Sequence, residues 1–190
     1  MACAKPKIPL DFLGGLIMAN TAMGSMLIEY KRWADKLFLN SVAELPAEEL
    51  TREHAGPIKT IIAVLNHMYV VDRIWQAHLE GREHGFTSRQ AMPYPDLSEL
   101  RQAQLEVDNW LIEWYARQSE ATLARSIDFA FVSGNRGNMT AEAMVLHLVN
   151  HATYHRGWLV QMYFEIPAMP PMTDLCVYLT EAQPGSLTNC

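Results

Sequence analysis

The stretch MVLHLVNHATYHRGWLVQM, residues 144–162, decides the fold because its inward-facing residues recur at helical spacing along its whole length. No proline interrupts it, and Thr140 is well placed to cap its N-terminus. We therefore predict a helix from Thr140 to about Glu165. The inward-facing residues are four, three, four, three and four positions apart, a spacing typical of the buried seam of a bundle helix. They are Met144, Leu148, His151, His155, Trp158 and Met162.

Three more segments share this periodicity and predict an all-α four-helix bundle. The first spans about residues 22–42. The second follows Pro57 and ends at Glu80, before Gly81, and the third runs from an Asp96 or Ser98 cap to about Gln118. In the first helix, the predicted inward stripe consists of Met26, Tyr30, Trp33 and Leu37.

Residues 125–139, RSIDFAFVSGNRGNM, break the helical pattern between the third and fourth helices. Ile127, Phe129 and Phe131 alternate with smaller or polar residues, and SGNRG supplies turn residues. This pattern predicts a short β-hairpin. Towards the C-terminus, the apolar segment DLCVYL is expected to pack back on a single domain of residues 1–190, with residues 1–15 and 181–190 peripheral.

Composition excludes several classes of protein. The net charge is −6 and the 15 lysines and arginines are dispersed, which argues against nucleic-acid binding. The sequence has no uncharged apolar run of about 18 residues, so we predict no membrane span. The apolar run near the N-terminus is short and contains Asp11, which argues against a cleaved secretion signal. Three cysteines without a CxxC pair favour a reducing cytoplasm.

The fourth helix carries three histidines at four-residue spacing, His147, His151 and His155. His67 lies in the corresponding seam of the second helix. The ends of the row are about 12 Å apart at 1.5 Å rise per residue, so one ion could bind the pair 147/151 or the pair 151/155. The seam favours 151/155, although a seam through His147, His151, Tyr154 and Trp158 is only slightly worse.

Two interpretations of these histidines stay open from spacing alone. A buried unpaired imidazole costs roughly 1–3 kcal/mol, which a metal ion or internal hydrogen bonds would offset. Three nitrogen ligands would leave a coordination position open, and zinc, nickel, iron and manganese all accept imidazole. Of the remaining histidines, His54 and His84 are expected to be solvated, and His78 lies too far from the others to share an ion.

The segment LNHMYVVDRIW, residues 65–75, together with HLVNHATYHRG, residues 147–157, resembles the DinB superfamily of damage-inducible and YfiT-like proteins. YKRWADKLF, LPAEEL and DLCVYL extend the resemblance over most of the chain. It implies a homodimeric four-helix bundle that holds a divalent ion on three histidines. Carried over to this sequence, the implied ligands are His67, His151 and His155, and Trp158 stands where the family usually has glutamine.

The resemblance also implies a function. Several members of the family are transferases that activate a low-molecular-weight thiol with the metal, in stress or detoxification, so a metal-dependent thiol S-transferase or a hydrolase acting on an electrophile is expected. A non-catalytic metal-binding stress-response protein and a helical dimerisation module are the alternatives. Beside the ligands, Asp72 could orient a ligand or be a solvated charge, Arg156 could bind a carboxylate or form a structural salt bridge, and His147 could support the site.

Overall fold

The computed structural model describes residues 21–182, so the predictions for residues 1–15 and for most of residues 181–190 lie outside the described residues. Within this range, no helix is both long enough and apolar enough to cross a membrane. Seven helices and one hairpin follow one another as α1 (Thr21–Ala43), α2 (Ala47–Thr51), α3 (Ile61–Glu80), α4 (Leu97–Ala116), α5 (Glu120–Leu123), β1 (Ser126–Ala130), β2 (Arg136–Thr140), α6 (Ala141–Tyr163) and α7 (Leu175–Glu181).

The four long helices form the predicted bundle, in which α1 and α3 each pack against both α4 and α6. Three of the predicted helix ends are confirmed: Asp96 and Thr140 accept backbone hydrogen bonds as N-caps, and Gly81 ends α3 with a φ of 70°. The predicted start of the second helix at Pro57 is wrong. Thr60 caps α3 instead, because its hydroxyl accepts a hydrogen bond from the backbone of Ala63.

The predicted inward stripe of α1 is displaced around the helix. Tyr30 and Trp33 pack against Tyr178 of α7, which confirms that the DLCVYL segment packs back on the bundle. Between α4 and α6, the face of α1 that is almost completely buried contains two charged side chains among apolar ones. The members of this face are Ile28, Lys31, Ala34, Asp35, Phe38 and Val42.

The predicted hairpin is present, with antiparallel strands paired from Ser126↔Thr140 to Ala130↔Arg136. Gly134 supplies the positive φ of 85° that the turn requires. β1 contacts α3 and β2 contacts α6, and the Phe129 ring lies 4.8 Å from that of Trp75 on α3. The hairpin therefore lies against the same two helices that carry the predicted ligands.

Candidate metal centre

Helices α3 and α6 bring His67, His151 and His155 together. Each residue offers a ring nitrogen, and these three nitrogens lie within 4.8 Å of one another. The ring centroids are 5.2 Å apart for His67 and His151, 4.5 Å for His67 and His155, and 4.4 Å for His151 and His155. The group could hold one metal ion, since imidazole nitrogens bind divalent ions at about 2 Å.

The hydrogen-bonding environment of the three imidazole rings is compatible with metal binding. Nδ1 of His67 lies 2.8 Å from the backbone oxygen of Arg89. Because a carbonyl oxygen only accepts, Nδ1 carries the proton, and the lone pair of the neutral ring is on Nε2. The Nδ1 atoms of His151 and His155 are buried and have no hydrogen-bond partner among the described residues. Internal hydrogen bonds therefore do not account for these two imidazoles.

Burial favours the neutral, metal-binding form of all three rings. Burial, together with the positive charge of the nearby histidines and Lys31, lowers the pKa of His151 to about 2. The pKa of His155 falls to about 4 through burial, His67 and Arg89. Burial also lowers the pKa of His67, although its hydrogen bond to Arg89 opposes this effect.

This shift predicts a pH dependence for the metal-free protein. Between the folded pKa of His151, about 2, and its ordinary value of 6.5, the unfolded chain binds more protons, so acidification favours unfolding. Urea unfolding of wild type and His151→Leu in EDTA, at pH 7.5 and at pH 5.0, would measure this effect. The free energy of unfolding of wild type should fall by about 2 kcal/mol relative to that of the variant. Equal pH dependence in both proteins would contradict the burial argument.

His147 and Trp158 flank the group on α6. The His147 ring lies 5.6 Å from that of His151 and 4.8 Å from that of Trp75. On the other side, the indole of Trp158 stacks on His155 with centroids 5.9 Å apart. Gly56 faces the same indole at a φ of 121°, and a Cβ there would come within 2.7 Å of Trp158 Cζ2. Trp158 is thus held between a glycine and one of the predicted ligands.

Asp72 and Arg156 belong to a buried ion cluster beside the histidines. Asp72 accepts a hydrogen bond from Lys31 at 2.7 Å, and Lys31 also bonds Asp35 at 2.8 Å and Asp108 at 2.6 Å. Arg156 pairs with the second oxygen of Asp35 at 2.6 Å. Arg156 therefore forms a structural salt bridge, which was one of the two roles considered for it from the sequence. Asp72 is not the solvated charge considered above.

The cluster contains three carboxylates and two cations, drawn from α1, α3, α4 and α6. One carboxylate oxygen of each aspartate lies within 4.8 Å of those of the other two, but the Lys31 ammonium occupies the cation position among them. Burial opposes the charge of Lys31, yet the carboxylates raise its pKa well above 10.5. Burial raises the pKa of Asp108 to about 7, and Oδ2 of that residue has no hydrogen-bond partner within residues 21–182.

Sequence reasoning missed the inward position of Lys31, Asp35 and Asp108. The signal was present, since Lys31 and Asp35 are four residues apart on one face of α1, as an internal ion pair requires. The expectation for His54 was wrong. This residue is buried because its backbone N–H bonds the oxygen of Lys59 and its Nδ1 lies 2.8 Å from Glu165.

Comparison with known proteins finds a family model, a protein and a solved structure that are similar to this chain. The model of the DinB family matches residues 18–186. Protein DinB of Bacillus subtilis (strain 168) is 26% identical over 158 residues, which cover 80% of this chain and 91% of that protein. The crystal structure of a DinB-like protein from Bacillus cereus ATCC 10987 superposes with a TM-score of 0.60 at 19% identity, over 76% of this chain and 91% of that one. The structural likeness supports the helical fold described above.

Proposed function

The chain belongs to the DinB family, and from that premise we propose that it binds one divalent metal ion on His67, His151 and His155. The observation that carries the proposal is the convergence of three ring nitrogens within 4.8 Å, two of them on rings whose buried Nδ1 has no hydrogen-bond partner in the described part of the chain. Three nitrogen ligands leave a coordination position for a small ligand, as in catalytic rather than structural zinc sites.

When bound, a divalent ion would supply a Lewis acid that lowers the pKa of a thiol or water at the open position. The protein's own contribution is to hold the three imidazoles neutral and to orient His67 through the Arg89 carbonyl. We propose metal-dependent S-transfer from a low-molecular-weight thiol to an electrophile as the reaction class, with hydrolysis as the alternative. The homodimer and the cytoplasmic location stay predictions from the sequence.

The proposal predicts metal-dependent stability. Protein purified without an immobilised-metal column should bind about one Zn²⁺, Ni²⁺ or Mn²⁺ per chain. At a free ion concentration of 100 Kd, binding stabilises the folded state by about 2.7 kcal/mol. For a chain of this size the melting temperature should rise by roughly 5–10 °C relative to protein in EDTA. Calorimetry and elemental analysis measure both quantities.

A metal-free protein whose melting temperature does not respond to any of the three ions would contradict the proposal. The histidines would then be core residues, as in the helical dimerisation module. Stoichiometric metal without saturable binding of any thiol or electrophile would instead favour the non-catalytic metal-binding protein over the transferase. Magnesium serves as the control ion, because it prefers oxygen ligands to imidazole.

A further inference from the structure

His155 differs from His67 in what holds its ring in place. A histidine that binds a metal usually donates its second ring N–H to a carboxylate, a carbonyl or a water, and this bond fixes the orientation of the ring. His67 has such a bond to the backbone oxygen of Arg89. Neither ring nitrogen of His155 forms a hydrogen bond with any residue in the range 21–182, and its Nδ1 is buried. The orientation of this ring therefore depends on packing.

Within the described range, four aromatic rings lie against the His155 imidazole. Two of them, His67 and His151, are proposed ligands themselves. The Tyr154 ring meets His155 edge-on at 5.1 Å, but this tyrosine is 69% exposed. The indole of Trp158 lies almost parallel to the imidazole, with an interplanar angle of 20° and centroids 5.9 Å apart. This is a stacked arrangement of the kind that aromatic pairs prefer.

The indole of Trp158 also contacts the loop between α2 and α3. Gly56 of this loop has a φ of 121°, and a Cβ at this position would lie 2.7 Å from Cζ2 of the indole. The loop is closed by a bond from the backbone N–H of His54 to the oxygen of Lys59, and it is tied to the end of α6 because His54 Nδ1 lies 2.8 Å from Glu165. The position of the indole is therefore restricted by the loop as well as by its own helix.

We propose that Trp158 is a positioning residue of the metal centre, which fixes the orientation of the His155 ring by stacking in place of a hydrogen bond. A ring that is already held in one orientation loses less conformational freedom when it binds an ion, so the stack should strengthen metal binding. An indole has no acceptor, so it orients the imidazole without raising its basicity as a carboxylate would. The proposal rests on the metal site proposed above.

Calorimetric titration of Zn²⁺ into Trp158→Leu and Trp158→Phe tests this role. Leucine keeps an apolar side chain without a ring, whereas phenylalanine keeps a ring that can stack on His155. The zinc affinity should fall about threefold to tenfold in Trp158→Leu, the usual range for an aromatic pair, and by no more than about twofold in Trp158→Phe. Circular dichroism verifies that both variants are folded. A residue that only stabilises the fold would leave the zinc affinity of the folded protein unchanged.

Gly56→Ala tests the same contact from the loop. The added Cβ would displace the indole, so the zinc affinity should fall at least about threefold. In the Trp158→Leu background the Cβ meets no indole, and the same change should alter the affinity by less than about twofold. Gly134→Ala is the matched control, because this glycine also has a positive φ of 85° but a Cβ there would meet no described atom within 4 Å. It should leave the zinc affinity unchanged.

The visible spectrum of the Co²⁺-loaded protein gives a second measurement, since it reports the geometry of the ligands around the ion. The spectrum should change in Trp158→Leu and in Gly56→Ala, and it should stay as in wild type in Trp158→Phe and in Gly134→Ala. A spectrum that is the same in all of these proteins would show that the orientation of His155 does not depend on the stack.

The zinc affinity of wild type is measured first and separates two kinds of failure. If wild type binds no zinc, the proposed metal site is wrong and the role of Trp158 falls with it. If wild type binds zinc and Trp158→Leu binds it equally tightly, only the role of Trp158 is overturned and the metal site stands. Equal losses of affinity in Trp158→Leu and Trp158→Phe, or in Gly56→Ala and Gly134→Ala, would overturn that role as well.

Discussion

His155→Ala should abolish stoichiometric metal binding. The three proposed ligands converge from two helices, and removal of one leaves His67 and His151, which are too few nitrogens to define a three-coordinate protein site. Loss of a residue that merely supports a ligand costs 10–100-fold in metal affinity, so loss of a ligand should cost at least about 100-fold. Elemental analysis after dialysis, together with calorimetric titration of Zn²⁺, measures the effect.

The matched control is His147→Ala, one turn before His151 on the same helix. Its ring lies beside that of His151, yet His147 is not part of the converging group. This variant should retain about one ion per chain with an affinity within roughly tenfold of wild type. If His147→Ala loses the ion and His155→Ala keeps it, the pair 147/151 binds the metal and our assignment is wrong. Far-ultraviolet circular dichroism of both variants verifies that the helices are intact.

Lys31→Met should destabilise the fold by about 3–5 kcal/mol, the usual cost of removing one partner from a buried ion pair. The ammonium bonds Asp35, Asp72 and Asp108, and its removal leaves three buried carboxylates with Arg156 as the remaining cation of the cluster. Urea unfolding at pH 7 measures the loss. The deficit should shrink at lower pH, because the carboxylates of the variant take up protons in the folded state.

Two variants test the origin of this effect. Lys36→Met makes the same replacement at an exposed position of α1 and should change the free energy of unfolding by no more than about 0.5 kcal/mol. Asp108→Asn should cost less than Lys31→Met, because the pKa of Asp108 is already raised to about 7 and its Oδ2 has no partner among the described residues. Equal stability of Lys31→Met and Lys36→Met would refute a stabilising role for the cluster.

Periodicity predicted the long helices because each of them buries a continuous face. Capping residues then placed several ends to within a few residues, as at Asp96, Thr140 and Gly81. The short helices α2, α5 and α7 were not predicted, since four to seven residues are too few to show a period. The stripe of α1 was misplaced because apolar residues were assumed to face the bundle, whereas Lys31 and Asp35 do so as a pair.

For the candidate site, the sequence predicted the proposed metal ligands but not the contacts that surround them. Seam spacing placed His67, His151 and His155 inward, and the family resemblance chose among the pairs on the fourth helix. The contact of the Arg89 carbonyl with His67 could not be predicted, because loop residues carry no period that fixes their position relative to a helix. Likewise, spacing cannot tell whether a charged residue such as Asp72 meets solvent or a cation from another helix.

All three proposed ligands lie on α3 and α6, whereas α1 and α4 pack against those helices through apolar side chains and the buried ion cluster. This division has an evolutionary consequence. Individual replacements on the outward faces of α1 and α4 leave the histidines in place, so these faces can diverge freely among descendants of one ancestral gene. A change at Lys31 or Asp108 is different, because it must be accompanied by a compensating change on another helix for the lineage to keep a stable fold.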